Sequence, residues 1–249
     1  MKLKTIFIIC IVVGIGSILA SGVLYFLGGN EILKVRNNDK SINKTVIKEE
    51  FIDNIQTIKI KSSVSDIYLE YTDTDKLKLE LINPLKRSKE PLIIKNDGKK
   101  LNIDVNKIYI GMGNNNINVY STLNVYIPKK YKENIDIRSD VGKLNGEYSG
   151  KNLDLRVDVG NIDLEINEIK YGKISTDVGN INVKIKEEND ITFDLETDVG
   201  KIENMLKNIK INSKENSLPG ISQSLNFDVN KGGNLIKLRS NLGSIKVYD

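Results

Sequence analysis

The chain has no histidine, no tryptophan, one cysteine and four prolines among its 249 residues. Each shortage excludes something. Without imidazole there is no Ser-His or Cys-His nucleophile pair, no histidine general base and no histidine metal ligand. A single Cys forms no intrachain disulfide and no cysteine-rich zinc site. The prolines, at 84, 91, 128 and 219, suit turns or strand ends and leave the rest uninterrupted. An excess of one charge is also lacking. With 37 Lys+Arg against 33 Asp+Glu the net charge is +4, too small to argue for a nucleic-acid partner. The hydrophobic share of 39% is enough for a packed core. No catalytic, cofactor-binding or metal-binding residue is assigned, and no cofactor is expected.

What is present begins with a long apolar run. Lys2 and Lys4 precede a stretch, Thr5 to Asn30, without a charged side chain. A bilayer core takes about 20 apolar residues as a helix, so residues 1–30 read as a transmembrane anchor with 5–28 in the membrane. A cleaved signal peptide is the rival, with Ile18-Leu19-Ala20 as its cleavage site. The apolar run continues well past that point, which favours a retained anchor. Cys10 lacks the preceding small residue of a lipoprotein processing site and falls in lipid. The flanking charges are nearly balanced. Long domains translocate largely regardless of charge, so the expected topology is a single-pass cell-membrane protein with its C-terminal domain extracellular. Residues 31–50 mix charges with Asn and read as a stalk.

From Phe51 onward apolar and polar residues alternate almost everywhere, as in Leu77-Lys78-Leu79-Glu80-Leu81, which is the pattern of half-buried strands. Three stretches read as loops: 83–91, 111–116 and 212–223. A repeat runs through this region. Ile135-Asp-Ile-Arg-Ser-Asp140-Val-Gly142-Lys-Leu144 is followed by Leu153-Asp-Leu-Arg-Val-Asp158-Val-Gly160-Asn-Ile162. Ile174-Ser-Thr-Asp177-Val-Gly179-Asn-Ile181 and Phe193-Asp-Leu-Glu-Thr-Asp198-Val-Gly200-Lys-Ile202 come next. Ser63-Val64-Ser65 opens the region as a relative, and Asn241-Leu242-Gly243 closes it. From Asp198 to Asn241 the separation is about two periods of the repeat.

With Asp taken as position zero, apolar residues fall at −5, −3 and +1, and then at +4. Their parity changes across Val-Gly, so the motif reads as a corner between two strands. Glycine at +2 supplies the bend. On this reading Val141, Val159, Val178 and Val199 point inward as a ladder. One such unit cannot bury its apolar side, whereas stacked units can. The expected fold is therefore all-β: a single-stranded parallel β-solenoid of about ten coils over residues 51–249, preceded by one N-terminal transmembrane helix. A β-sandwich is the alternative.

Asp140, Asp158, Asp177 and Asp198 would stack as a carboxylate column. Ca²⁺ could relieve the repulsion within it, but the calcium-binding solenoid repeat has a different pattern. The plainer reading is that each Asp caps its own turn, with Arg138 and Arg156 sharing its outward face. The tip Ile110-Gly-Met-Gly-Asn-Asn-Asn-Ile117 lacks the lysine of a phosphate loop and reads as a plain turn. The ten Tyr read as core edges and strand faces.

The recurrent (Ser/Thr)-Asp-Val-Gly-x-(Ile/Leu) corner behind one membrane segment resembles a bacterial family, the putative-adhesin domain of unknown function, which includes the LiaG-like proteins of envelope-stress operons. The resemblance spans about residues 51–249 and is densest over 135–202. It implies an outward-facing β-solenoid with no established catalytic residues. The expected role is a non-catalytic interaction or scaffold module linked to envelope stress or adhesion. Its partners would be the membrane through residues 5–28 and an envelope protein or cell-wall polymer. Uncapped solenoid ends would also invite end-to-end self-association. The alternatives are a carbohydrate-active β-helix enzyme acting on a cell-wall polymer and a regulatory, self-assembling envelope protein.

Overall fold

A computed structural model describes residues 44–84, 90–106, 121–186, 189–216 and 222–249. The expected membrane segment, most of the stalk and the Asn-rich tip lie outside the described residues. Among the described residues no helix is long and apolar enough to cross a membrane. Residues 43–249 form one compact unit, and its whole hydrophobic core falls between Ile52 and Val247.

The alternating segments do form strands. The first are β1 (Thr45–Phe51), β2 (Thr57–Val64), β3 (Asp66–Thr72), β4 (Lys76–Ile82), β5 (Leu92–Asn96), β6 (Lys100–Val105) and β7 (Thr122–Pro128). The repeat region supplies β8 (Asn134–Val141), β9 (Leu144–Ser149), β10 (Asn152–Val159), β11 (Ile162–Glu168), β12 (Tyr171–Val178) and β13 (Ile181–Ile185). The last are β14 (Ile191–Val199), β15 (Ile202–Asn204), β16 (Ile209–Asn216), β17 (Gln223–Val229), β18 (Asn234–Leu242) and β19 (Ile245–Tyr248). In β4, Leu77, Leu79 and Leu81 are fully buried while Lys78 and Glu80 lie between them on the outer face.

These strands make two sheets around one core. The nine-stranded sheet has the order β1-β4-β7-β3-β9-β11-β13-β19-β15, and the ten-stranded sheet β16-β17-β14-β18-β12-β10-β8-β2-β6-β5. The all-β expectation holds, and each Val-Gly motif is a corner that carries the chain from the ten-stranded sheet to the nine-stranded one. The solenoid of about ten parallel coils is corrected in three ways. Only the middle strands pair in parallel. Strands β1, β4, β5, β16 and β17 add antiparallel at the ends. The paired strands occupy seven levels, out of chain order: β6/β7, β2/β3, β8/β9, β10/β11, β12/β13, β18/β19, β14/β15.

The last repeat is thus inserted between the third and fourth Asp-Val-Gly copies. The separation between Asp198 and Asn241 holds the β16–β17 hairpin, which extends the ten-stranded sheet past β14, rather than a further coil. Residues 45–50, read as the end of the stalk, belong to β1, and residues 212–216, read as loop, belong to β16. Local alternation specifies a strand but not its neighbour, so equivalent repeats can stack in more than one order.

The core runs the length of the stack. Phe193 and Phe227 stack in it with centroids 5.2 Å apart. The side opposite the Val-Gly corners is closed by Tyr71, Tyr131 and Tyr148, in keeping with tyrosines as core edges. The Tyr71 hydroxyl donates to the Ser149 carbonyl at 3.0 Å, and burial pushes its pKa up to about 12. Burial likewise pushes the Tyr131 and Tyr148 hydroxyls above their usual range.

Candidate functional site

The corners set the geometry of the surface beside them. At each one the backbone ladder runs on through the bend. Gly142 N–H donates to the Val159 carbonyl, Gly160 to Val178, Gly179 to Leu242 and Gly243 to Val199, at 2.9–3.1 Å. Glycine is required here for space. A Cβ on Gly160 would sit on the carbonyl oxygen of Gly142, and Gly160 also has φ +153°.

The expected inward valine ladder is corrected. Val141, Val159, Val178, Leu242 and Val199 are 42–51% exposed, and residue −1 fills the interior instead. Strand pairing skips the Asp position, so the chain begins to turn there and +1 leaves the core. Three of the −1 side chains are buried hydroxyls that donate to a glycine carbonyl on the neighbouring level. These are Thr176 to Gly160 at 3.2 Å, Thr197 to Gly243 at 2.8 Å and Ser240 to Gly179 at 2.9 Å. A Ser or Thr repeated immediately before Asp was the available signal.

The carboxylate column is only partly assembled. Asp140, Asp158 and Asp177 sit on successive levels, but Asn241 separates Asp177 from Asp198. The carboxylates pair with side chains more than with their own turns. Arg156 bridges Asp158 and Asp177 at 2.8 Å each. Arg239 reaches Asp198 at 3.4 Å, and Asn241 donates to Asp177 at 3.2 Å. Arg138 turns away to grip Asp154 at 2.6 and 3.0 Å. Lost solvation, and secondarily Asp158, raises the Asp140 carboxyl above the usual range. Among the described residues no group of three His, Cys, Asp or Glu is placed to share a metal ion.

Position −2 builds a trench on the outer face of the ten-stranded sheet. Across the strands this row reads Lys61, Arg138, Arg156, Ser175, Arg239, Glu196. Ser175 is the one short side chain in a row of long ones. The gap above it holds about 680 Å³, between Arg156 and Arg239 on strands β10 and β18. Lys173, Lys237 and the half-exposed Tyr171 extend the lining. Most of the charges are paired: Lys237 with Asp194 at 3.2 Å and Arg239 with Glu196 at 3.2 Å. Among the described residues Lys173 has no anionic partner. The trench thus offers donors and acceptors alongside an aromatic face. Among the described residues lining it, the Ser175 hydroxyl donates to the Leu155 carbonyl at 3.5 Å rather than to a carboxylate. The carboxyl with raised proton affinity, Asp140, does not line it.

Seven levels of paired strands, bent at glycine corners and capped by hairpins, define a class of stacked two-sheet β-protein. Residues 55–147 match the family model described as toastrack DUF4097. A putative cell adhesion protein from Clostridium sporogenes shares the fold, with a TM-score of 0.61 and 17% identity over 83% of this chain and 99% of that one. A putative adhesin from Bacteroides fragilis aligns over 82% of this chain and 97% of its own, at 14% identity and a TM-score of 0.26. A putative lipid binding protein from Parabacteroides distasonis aligns over 82% and 96%, at 14% identity and a TM-score of 0.24. No curated protein matches the sequence.

Proposed function

We propose that this chain is a non-catalytic binding module of the bacterial cell envelope. It is held in the membrane by residues 5–28, displays residues 44–249 outside the cell, and engages a hydroxyl-rich cell-wall polymer. A link to envelope stress belongs to the same reading and rests on the LiaG-like resemblance. The observation that carries the proposal is the trench over Ser175. Its width of about two strand spacings, near 10 Å, admits one sugar chain. Paired Arg and carboxylate side chains present donors and acceptors to hydroxyls at little further ordering cost. Tyr171 offers a face for a sugar ring, and Lys173 supplies a free charge for an anionic substituent. The fold-level likeness to a cell adhesion protein supports a binding role over a catalytic one.

The test is to fill the gap. Ser175→Glu places a carboxylate between Arg156 and Arg239, where both can hold it. The variant should melt at or above the wild-type temperature yet lose retention on isolated cell walls by at least about tenfold. Undiminished retention would remove the trench from the proposal. Protease added to intact cells should remove the domain, and cleavage only after lysis would reverse the topology.

A further inference from the structure

The two ends of the stack are built differently. The nine-stranded sheet begins at β1, whose core-facing positions are Val46, Lys48 and Glu50, opposite Leu81, Leu79 and Leu77. Charges turned inward on an edge strand oppose the addition of another strand. At the far end the nine-stranded sheet stops at β15, a strand of only three residues. The ten-stranded sheet runs two strands further, through β17 and β16. The hairpin therefore overhangs the β15 edge by about 10 Å. A notch of about 410 Å³ lies under it, lined by Ile202, Asn204, Ile209, Ile211, Lys214 and Leu225 among others. Ile211 is 55% exposed, and Met205, just past β15, is 57% exposed. The Ile202 N–H on the free edge of β15 is taken by the Gln223 side chain at 2.9 Å. Among the described residues no strand pairs with the outer edge of β16.

We infer that this step is a self-association surface whose occupant is a second copy of the chain, related by a two-fold axis parallel to the strands. That rotation exchanges the planes of the two sheets and reverses the direction of stacking. The overhanging hairpin of each copy then lies level with the β15 edge of the other. Each notch is covered by the hairpin that the other copy projects, and both apolar patches leave water together. A two-fold contact closes after two copies, so the product is a dimer rather than a fibre. Head-to-tail growth would have to bury Lys48 and Glu50, which the β1 end opposes. In the dimer the two β1 strands lie at opposite extremes. The contact does not depend on the anchor proposed above.

The whole core lies within residues 44–249, so this unit can be tested by equilibrium sedimentation. At tens of micromolar the wild type should be a dimer. Ile211→Glu changes an exposed side chain, so melting should stay unchanged while the dissociation constant rises at least about tenfold. Ile47→Glu, on the exposed face of β1, should leave the dimer intact. A wild-type monomer at about 100 µM, well above the affinity such a contact should reach, would overturn the inference. So would species that grow past the dimer, or a dimer sensitive to Ile47→Glu but not to Ile211→Glu.

Discussion

The molecule solves the same corner in two ways. In the repeat corners, glycine at +2 lets neighbouring backbones touch, and in three of them a buried hydroxyl at −1 satisfies the glycine carbonyl of the next level. In the first corner Ser65 stands where the others have glycine. Its hydroxyl donates to the Val64 carbonyl at 2.6 Å. The buried Asn106 amide then reaches Val64 O, Ser65 Oγ and Ser121 Oγ at 2.7–3.1 Å. The −1 hydroxyls of this region, Ser62 and Ser139, are left buried without partners. Repetition is thus self-satisfying only where every level obeys it. Where Ser65 replaces the glycine, the −1 hydroxyls of that level and the next have no partner, and the Asn106 side chain fills in beside the corner.

The comparison can be broken most severely at Gly160. Gly160→Ala drives a methyl group into the Gly142 carbonyl oxygen at a strained φ, with backbone rather than a flexible side chain in the way. We expect a loss of about 3–5 kcal/mol, or no folded protein, read by thermal melting. Next is Thr197→Val, which keeps the shape but leaves the Gly243 carbonyl unpaired, at about 1–2 kcal/mol and a melting point lower by about 3–6 °C. Ser139→Ala sharpens the contrast, because a buried hydroxyl without a partner is already a cost. Its melting point should hold or rise, and a drop equal to that of Thr197→Val would erase the distinction between corners.

The smallest effect concerns Asp140, whose carboxyl loses solvation and, secondarily, faces Asp158 on the next level. Its folded-state pKa lies above the unfolded value, so its ionised form disfavours the fold at neutral pH. The penalty is full above the folded pKa and disappears as pH falls through it to the unfolded value. Asp140→Asn should therefore raise the melting point by about 1–3 °C at pH 7, with the gain vanishing in acid. A gain that persisted below the ordinary carboxylate range would point to packing rather than charge.

Much of this was legible from one sequence. Alternation found the strands, and the period near 20 found the stack. The glycine column was assigned to the corners, and Ile135, Ile137, Leu153, Leu155 and Leu144 are buried as their spacing required. The trench was not visible. It depends on Ser175 lying between Arg156 and Arg239, and Arg239 is brought there by a strand from the far end of the chain. Insertion of β18 also put Asn241 into the acidic column and so spared Asp177 a like-charged neighbour.

By itself the sequence determined local geometry: which residues alternate, where the chain must bend, and which side chains lie inward ahead of each corner. Those properties follow from sterics and burial within about twenty residues. Only the tertiary structure decided the order of the levels, the outward turn of the valines, the antiparallel ends and the step at β15. These depend on which equivalent strands meet, and nearly identical repeats carry too little difference in pairing energy to say so alone.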